Sequence, residues 1–123
     1  TDSSARYEAL LRPGPARQRL RSQPICAPHL VDVEVASIVR KTTFKGEITA
    51  AEAIKVVRLL GTARLRRFGH TSFVERLWQL RHNLVPYDAM YVVLAEALDA
   101  TMITCDSPLA KAPGHRARIE AIE

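Results

Sequence analysis

The sequence has little of what secreted, membrane-spanning or zinc-binding proteins use. It has two cysteines, Cys26 and Cys105, without the paired spacing of zinc ligands, so we expect reduced thiols in the core. No apolar run reaches the about 18 residues of a transmembrane helix. We also find no secretory signal, and therefore expect a cytoplasmic protein without a membrane partner. The four histidines show no ligand spacing either.

Acidic residues are outnumbered, which favours an anionic partner. Lysine and arginine together number 18 against 13 acids, giving a net charge of +5. Most of the basic residues are arginines, whose guanidinium groups suit bidentate contacts to phosphate. RNA or DNA is therefore the first candidate partner, although a solvated basic face would give the same composition.

The length and apolar content predict one domain spanning residues 1–123. A chain of 123 residues, 47% hydrophobic, can bury a real core but is too short for two domains. The charged fraction of 25% is ordinary for a globular protein.

The segment from Leu84 to Asp106 organises the rest of the chain. Pro86 is a good first residue for a helix that is apolar almost all round and should be buried. Asp88 lies in its first turn, and Asp106 follows the short apolar strand after it. Each acid has an ordinary explanation, because Asp88 could complement the helix dipole and Asp106 could cap the helix that Ser107 begins.

The remaining pattern alternates helices with short strands. It predicts strands at residues 25–27, 65–68, 101–104 and 118–122, a helix at about 29–42, and helices opened by capping boxes at Thr49–Glu52 and Ser72–Glu75. Strands separated by helices predict an α/β fold, a three-layer αβα sandwich with a central, mostly parallel sheet. Asp2 should follow a strand, as Asp106 does. Because only Thr1 precedes it, we expect the first strand to be truncated in this sequence.

Four acids occupy equivalent places in this scheme. Asp2 and Asp106 lie at strand-to-helix junctions, and Glu34 and Asp88 lie near helix starts. In a right-handed parallel sheet these positions share one edge, so the carboxylates can converge. Clustered carboxylates repel one another unless a cation neutralises them, and all-oxygen sites select Mg²⁺ or Mn²⁺.

These residues resemble the PIN-domain ribonucleases, and within them the VapC toxins of bacterial toxin–antitoxin pairs. The resemblance lies in Asp2-Ser-Ser4, in His29-Leu-Val-Asp-Val-Glu34-Val, in the long segment Leu80–Leu98 and in Thr104-Cys-Asp106. It covers essentially the whole chain in order, and the arginine-rich composition is similar to that of the mycobacterial members.

The resemblance implies a Mg²⁺- or Mn²⁺-dependent endoribonuclease that hydrolyses RNA phosphodiester bonds and inhibits translation. It places the four catalytic and metal-binding acids at Asp2, Glu34, Asp88 and Asp106, braced by Ser4 and Thr104. It also implies a homodimer and a cognate VapB-type antitoxin whose C-terminal segment blocks the cleft. The candidate contacts to the RNA backbone are Arg40, Lys41, Arg64, Arg66 and Arg67, for which a solvated basic face is the alternative.

Two other functions remain open at this point. One is a catalytically inactive RNA-binding or scaffold module of the same fold, which would be marked by a missing acid. The other is a phosphoryl-transfer receiver domain, which would need a lysine near the last strand, and Lys111 is a poor candidate.

Overall fold

The computed structural model describes residues 25–62 and 64–122. The elements in chain order are β1 (Cys26–Pro28), α1 (Leu30–Phe44), α2 (Ala50–Thr62), β2 (Arg66–Phe68), α3 (Val74–Gln79), α4 (Pro86–Leu98), β3 (Thr101–Thr104), α5 (Ser107–Ala110) and β4 (Arg118–Ala121). A short 3₁₀ helix, Thr71–Phe73, leads into α3. The predicted truncation of the first strand, before Asp2, concerns a part of the chain outside the described residues.

The strands of the described part form two parallel pairs. β1 pairs with β2, with Ala27 opposite Arg67, and β3 pairs with β4, with Ile103 opposite Glu120. Parallel strands need a crossover, and helices lie between the partners of each pair. The prediction of an α/β fold with parallel strands is confirmed.

Helix α4 forms the centre of the core. Pro86 opens it, as predicted, and every residue from Ala89 to Ala95 is buried. The helix packs against α3, β1 and β3. A helix that is apolar all round needs such cover on every side. No helix in residues 25–62 and 64–122 combines the length and hydropathy that crossing a membrane requires.

The chain reverses sharply at the end of α4. Asp99 takes a left-handed conformation, with φ of 48°, which aspartate tolerates better than most residues. The N–H groups of Asp99 and Ala100 donate to the carbonyl oxygens of Glu96 and Ala95, at 3.2 and 3.0 Å. This is the Schellman arrangement that ends many helices, and it sends the chain back as β3.

One of the two predicted capping boxes forms. The Thr49 N–H donates to Glu52 Oε1 at 3.0 Å, and the Glu52 N–H donates to Thr49 Oγ1 at 3.1 Å, so α2 begins as predicted. The box at Ser72–Glu75 was wrong. Residues 71–73 form the 3₁₀ helix, and α3 begins only at Val74. Ser72 therefore lies inside the 3₁₀ helix and does not cap α3.

Glu96 ties α4 to two neighbouring segments. Its side chain is 2% exposed and accepts from Arg76 of α3 at both oxygens, at 3.0 and 2.9 Å. The Arg116 N–H, just before β4, also donates to it at 2.9 Å. The hydrogen bond from Arg76 holds the pKa of the Glu96 carboxyl below its usual value of 4.5. Glu96 is therefore a structural carboxylate and not part of the acid set.

Asp106 caps α5. Its Oδ1 accepts from the Leu109 N–H at 3.1 Å, and its own N–H donates to Thr104 Oγ1 at 2.9 Å. The capping role considered from the sequence is therefore present.

Glu96→Gln should lower the free energy of unfolding by about 1.5–3 kcal/mol at pH 7, because it weakens hydrogen bonds to a charged group. The pKa of Glu96 is depressed in the folded state, so its contribution is complete above pH 4.5 and is lost as the pH falls through the folded-state value. The difference between wild type and variant in urea unfolding should accordingly shrink in acid.

Asp99→Asn is the matched control for Glu96→Gln. Asp99 pairs with Arg118 at 2.9 Å, but both side chains are exposed, and asparagine also accepts the left-handed conformation. Its effect should stay within about 0.5 kcal/mol. Equal effects of the two variants would show that burial does not set the strength of these pairs.

Asp106→Ala should lower the free energy of unfolding of the metal-free protein by about 0.5–2 kcal/mol, through loss of the cap. Asp106→Asn keeps a capping oxygen and should cost only a few tenths of a kcal/mol by comparison. Urea unfolding in EDTA measures both. A loss in Asp106→Asn as large as in Asp106→Ala would mean that the charge, and not the cap, stabilises this end of β3.

Candidate active site

Asp88 lies where the buried helix α4 reaches the surface. It is half-buried in the first turn, two residues after Pro86, while the residues that follow it are buried. A carboxylate in this position interacts favourably with the positive end of the helix dipole. The local sequence therefore fixes an acid at the N-terminal end of the core helix.

Glu34 of α1 contacts the N-terminal half of α4. It is half-buried beside the buried stripe of Val31 and Val35, and its Oε1 accepts a hydrogen bond from the hydroxyl of Tyr91. Tyr91 lies one turn after Asp88, and long side chains on a helix lean towards its N-terminus. We therefore expect the hydroxyl that holds Glu34 to lie over the turn that carries Asp88.

Asp106 follows β3, which packs against α4. Its side chain is exposed, and the fully buried Thr104 holds its backbone N–H.

The described residues bring the acids only partly together. Glu34 contacts α4 through Tyr91, one turn after Asp88, and Asp106 follows β3, which packs against α4. Within residues 25–62 and 64–122, however, no three His, Cys, Asp or Glu side chains form a group that could hold a metal ion. The cap to Leu109 turns one oxygen of Asp106 towards α5. Asp2 and Ser4 lie outside the described residues.

The candidate RNA contacts divide into exposed and engaged side chains. Arg40, Lys41, Arg64 and Arg66 are exposed, and two of them stack on neighbouring rings, Arg40 at 4.6 Å from the Phe44 centroid and Arg66 at 5.1 Å from that of Phe68.

Arg67 differs from the other candidate contacts because it already has an acidic partner. Its guanidinium donates to both oxygens of Asp32, at 2.6 and 2.7 Å. These hydrogen bonds raise the pKa of Arg67 above its usual range. The pair joins α1 to β2, so Arg67 has a structural role.

Sequence reasoning missed Tyr91. In the pattern it is one more large residue of an apolar helix, and its partner Glu34 is 57 residues away. The available signal was its polar tip, because a buried tyrosine hydroxyl needs a hydrogen-bond partner.

Comparisons with known proteins identify the family of the chain. Residues 2–114 match the model of the PIN domain. The chain is 38% identical over 105 residues to a VapC ribonuclease of Mycobacterium bovis, covering 85% of this chain and 83% of that protein. It is also 37% identical over 126 residues to ribonuclease VapC1 of Mycobacterium tuberculosis strain H37Rv, covering 98% of this chain and 95% of that one.

A third relative, ribonuclease VapC12 of the same Mycobacterium tuberculosis strain, is 37% identical over 124 residues, covering 98% of this chain and 96% of that protein. The matches run through the segments that carry Glu34, Asp88 and Asp106, and they leave little of either chain uncovered. The chain therefore belongs to the PIN-domain family and, within it, to the VapC ribonucleases.

Proposed function

We propose that this protein is the endoribonuclease toxin of a toxin–antitoxin pair, hydrolysing RNA phosphodiester bonds with Mg²⁺ or Mn²⁺. The observations that carry the proposal are the placement of Asp88 in the first turn of the core helix and the hydrogen bond that ties Glu34 to Tyr91 of the same helix, in a VapC-type chain. Carboxylates from separate elements on one helix fit a cation-dependent nuclease.

The proposed ligands are Asp2, Glu34, Asp88 and Asp106, with Ser4 and Thr104 as supports. The donors of the described part are all carboxylate oxygens, which fits a hard cation. Mg²⁺ usually keeps several waters and takes only one or two protein carboxylates, so Glu34 and Asp88 suffice in number. When bound, the ion supplies Lewis acidity and lowers the pKa of a coordinated water. Exposed arginines then hold the flanking phosphates of the RNA.

The proposed partners and location rest on membership of the VapC ribonucleases. We propose a cognate VapB-type antitoxin, a homodimer and a cytoplasmic site of action. Large apolar side chains stay exposed on α1 and α2, namely Phe44, Ile54 and Val57, and a protein partner would cover side chains of this kind.

A catalytically inactive RNA-binding module is the second candidate. It is favoured by one observation, the lack of a three-acid group that could hold a metal ion within residues 25–62 and 64–122. Such a module would bind RNA without cleaving it under any metal condition.

Asp88→Asn should reduce RNA cleavage roughly a hundredfold or more, because losing even a supporting partner of a metal ligand typically costs ten- to a hundredfold. Single-turnover cleavage of total RNA with Mg²⁺, Mn²⁺ or EDTA measures this. Glu75→Gln is the matched control, since Glu75 is also an acid in the first turn of a helix, but of α3. It should cleave like wild type.

The outcomes of the cleavage assay separate the two candidates. Unchanged cleavage by Asp88→Asn would eliminate the proposed acid site, and cleavage that persists in EDTA would eliminate its metal dependence. Tight binding without cleavage by the wild-type protein would favour the inactive module.

Arg64→Gln should weaken binding to single-stranded RNA and lower the slope of log K against log salt by about 0.7 for each lost phosphate contact. Binding is measured in EDTA, so that the RNA stays intact. Arg118→Gln is the control, because the Arg118 guanidinium is already engaged by Asp99. An unchanged slope for Arg64→Gln would assign Arg64 to a solvated basic face.

A further inference from the structure

Tyr91 is a buried residue with its polar end at the candidate site. It is 4% exposed and belongs to the main apolar core, together with Val92 and Val93. Its hydroxyl donates to Glu34 Oε1, which joins α4 to α1. The ring therefore packs in the core, and the hydroxyl donates to Glu34, one of the four candidate acids.

The packing of the ring determines where the hydroxyl lies. A tyrosine side chain has only two rotatable bonds before its ring, and close-packed neighbours hold the ring in one rotamer. Glu34 has a longer side chain that is only half-buried, so it has more rotamer freedom to lose than the ring of Tyr91. The hydrogen bond therefore restricts the Glu34 carboxylate of α1 by tying it to a side chain that is fixed on α4.

The other tyrosine of α4 provides an internal comparison. Tyr87 lies next to Asp88 in the sequence but is 63% exposed, so its ring is not held by the core. The two tyrosines share a helix and a chemistry, and they differ in burial and in the contact to Glu34. Removing one hydroxyl or the other therefore isolates the effect of that contact.

We propose that Tyr91 is a positioning residue, whose hydroxyl orients the Glu34 carboxylate towards the divalent cation and Asp88. The inference rests on the proposed function, since it needs Glu34 to be a ligand. The physical reason is general: carboxylates that bind metals are commonly hydrogen-bonded by outer partners that fix their geometry, and losing such a partner costs metal affinity. A neutral hydroxyl suits this task, because it orients the carboxylate without cancelling the charge that attracts the ion.

The alternative is a purely structural hydroxyl, which finds in Glu34 a partner for its own buried donor. Both readings allow Tyr91→Phe to change thermal stability. Only the positioning role requires a change in metal affinity, so the affinity is the decisive measurement.

The test measures Mn²⁺ binding to the metal-free full chain by calorimetry and by the loss of the electron paramagnetic resonance signal of free Mn²⁺. Tyr91→Phe keeps the ring and should weaken Mn²⁺ binding about 10- to 100-fold. The Mg²⁺ concentration for half-maximal RNA cleavage should rise by the same factor, with kcat at saturating Mg²⁺ nearly unchanged. Tyr87→Phe should leave all three quantities as in wild type.

Glu34→Gln and the double variant complete the experiment. Glu34→Gln should itself weaken Mn²⁺ binding, and adding Tyr91→Phe to it should cause little further loss, since the two residues act through one contact. If Glu34→Gln binds Mn²⁺ normally, the proposed metal site fails. If Glu34→Gln loses affinity while Tyr91→Phe lowers only the melting temperature, the proposed function stands and the positioning role of Tyr91 is refuted.

Discussion

The burial of α4 is the constraint on which the described structure depends. Seven consecutive residues, Ala89 to Ala95, are covered by α3, β1 and β3 together, so the helix cannot rotate or slide without exposing apolar surface. Full burial of one large apolar side chain contributes about 1.5–3 kcal/mol, and several such side chains act here at once. The positions of Asp88 at the helix entrance and of Tyr91 one turn deeper follow from that fixed register, and through Tyr91 so does the position of Glu34.

The arginines of this basic protein do more than face solvent. Arg67, Arg76 and Arg118 each pair with an acid of the fold, Asp32, Glu96 and Asp99 respectively. Among these three pairs, only Arg76–Glu96 includes a fully covered carboxylate, which also accepts from the Arg116 N–H. A positive net charge therefore overstates the number of cations that are available to a polyanion, and exposure with an unoccupied guanidinium is the better criterion for choosing RNA contacts.

Local signals in the sequence predicted most of the helix ends, whereas contacts between distant residues could not be predicted from it. Pro86, the Thr49–Glu52 box and the cap of Asp106 depend on neighbours within four residues, and all three are present. Ser72 failed because the same residues can form a 3₁₀ turn, whose choice depends on packing. The link between Tyr91 and Glu34 spans 57 residues and leaves no periodicity. Candidate acids could be named from the sequence, whereas the hydrogen bond that holds one of them could not.

The carboxylates described above fall into two kinds, according to the group that donates to them. Asp32, Glu96 and Asp99 meet guanidinium groups, which offset their charge and make them part of the framework. Glu34 meets a hydroxyl and Asp106 a backbone N–H, donors that fix a carboxylate while its negative charge persists. Carboxylates held close together with their charges intact repel one another, and this repulsion stores an affinity for a cation. Under the proposed function, the neutral donors at Glu34 and Asp106 would leave both carboxylates charged and so able to attract a cation.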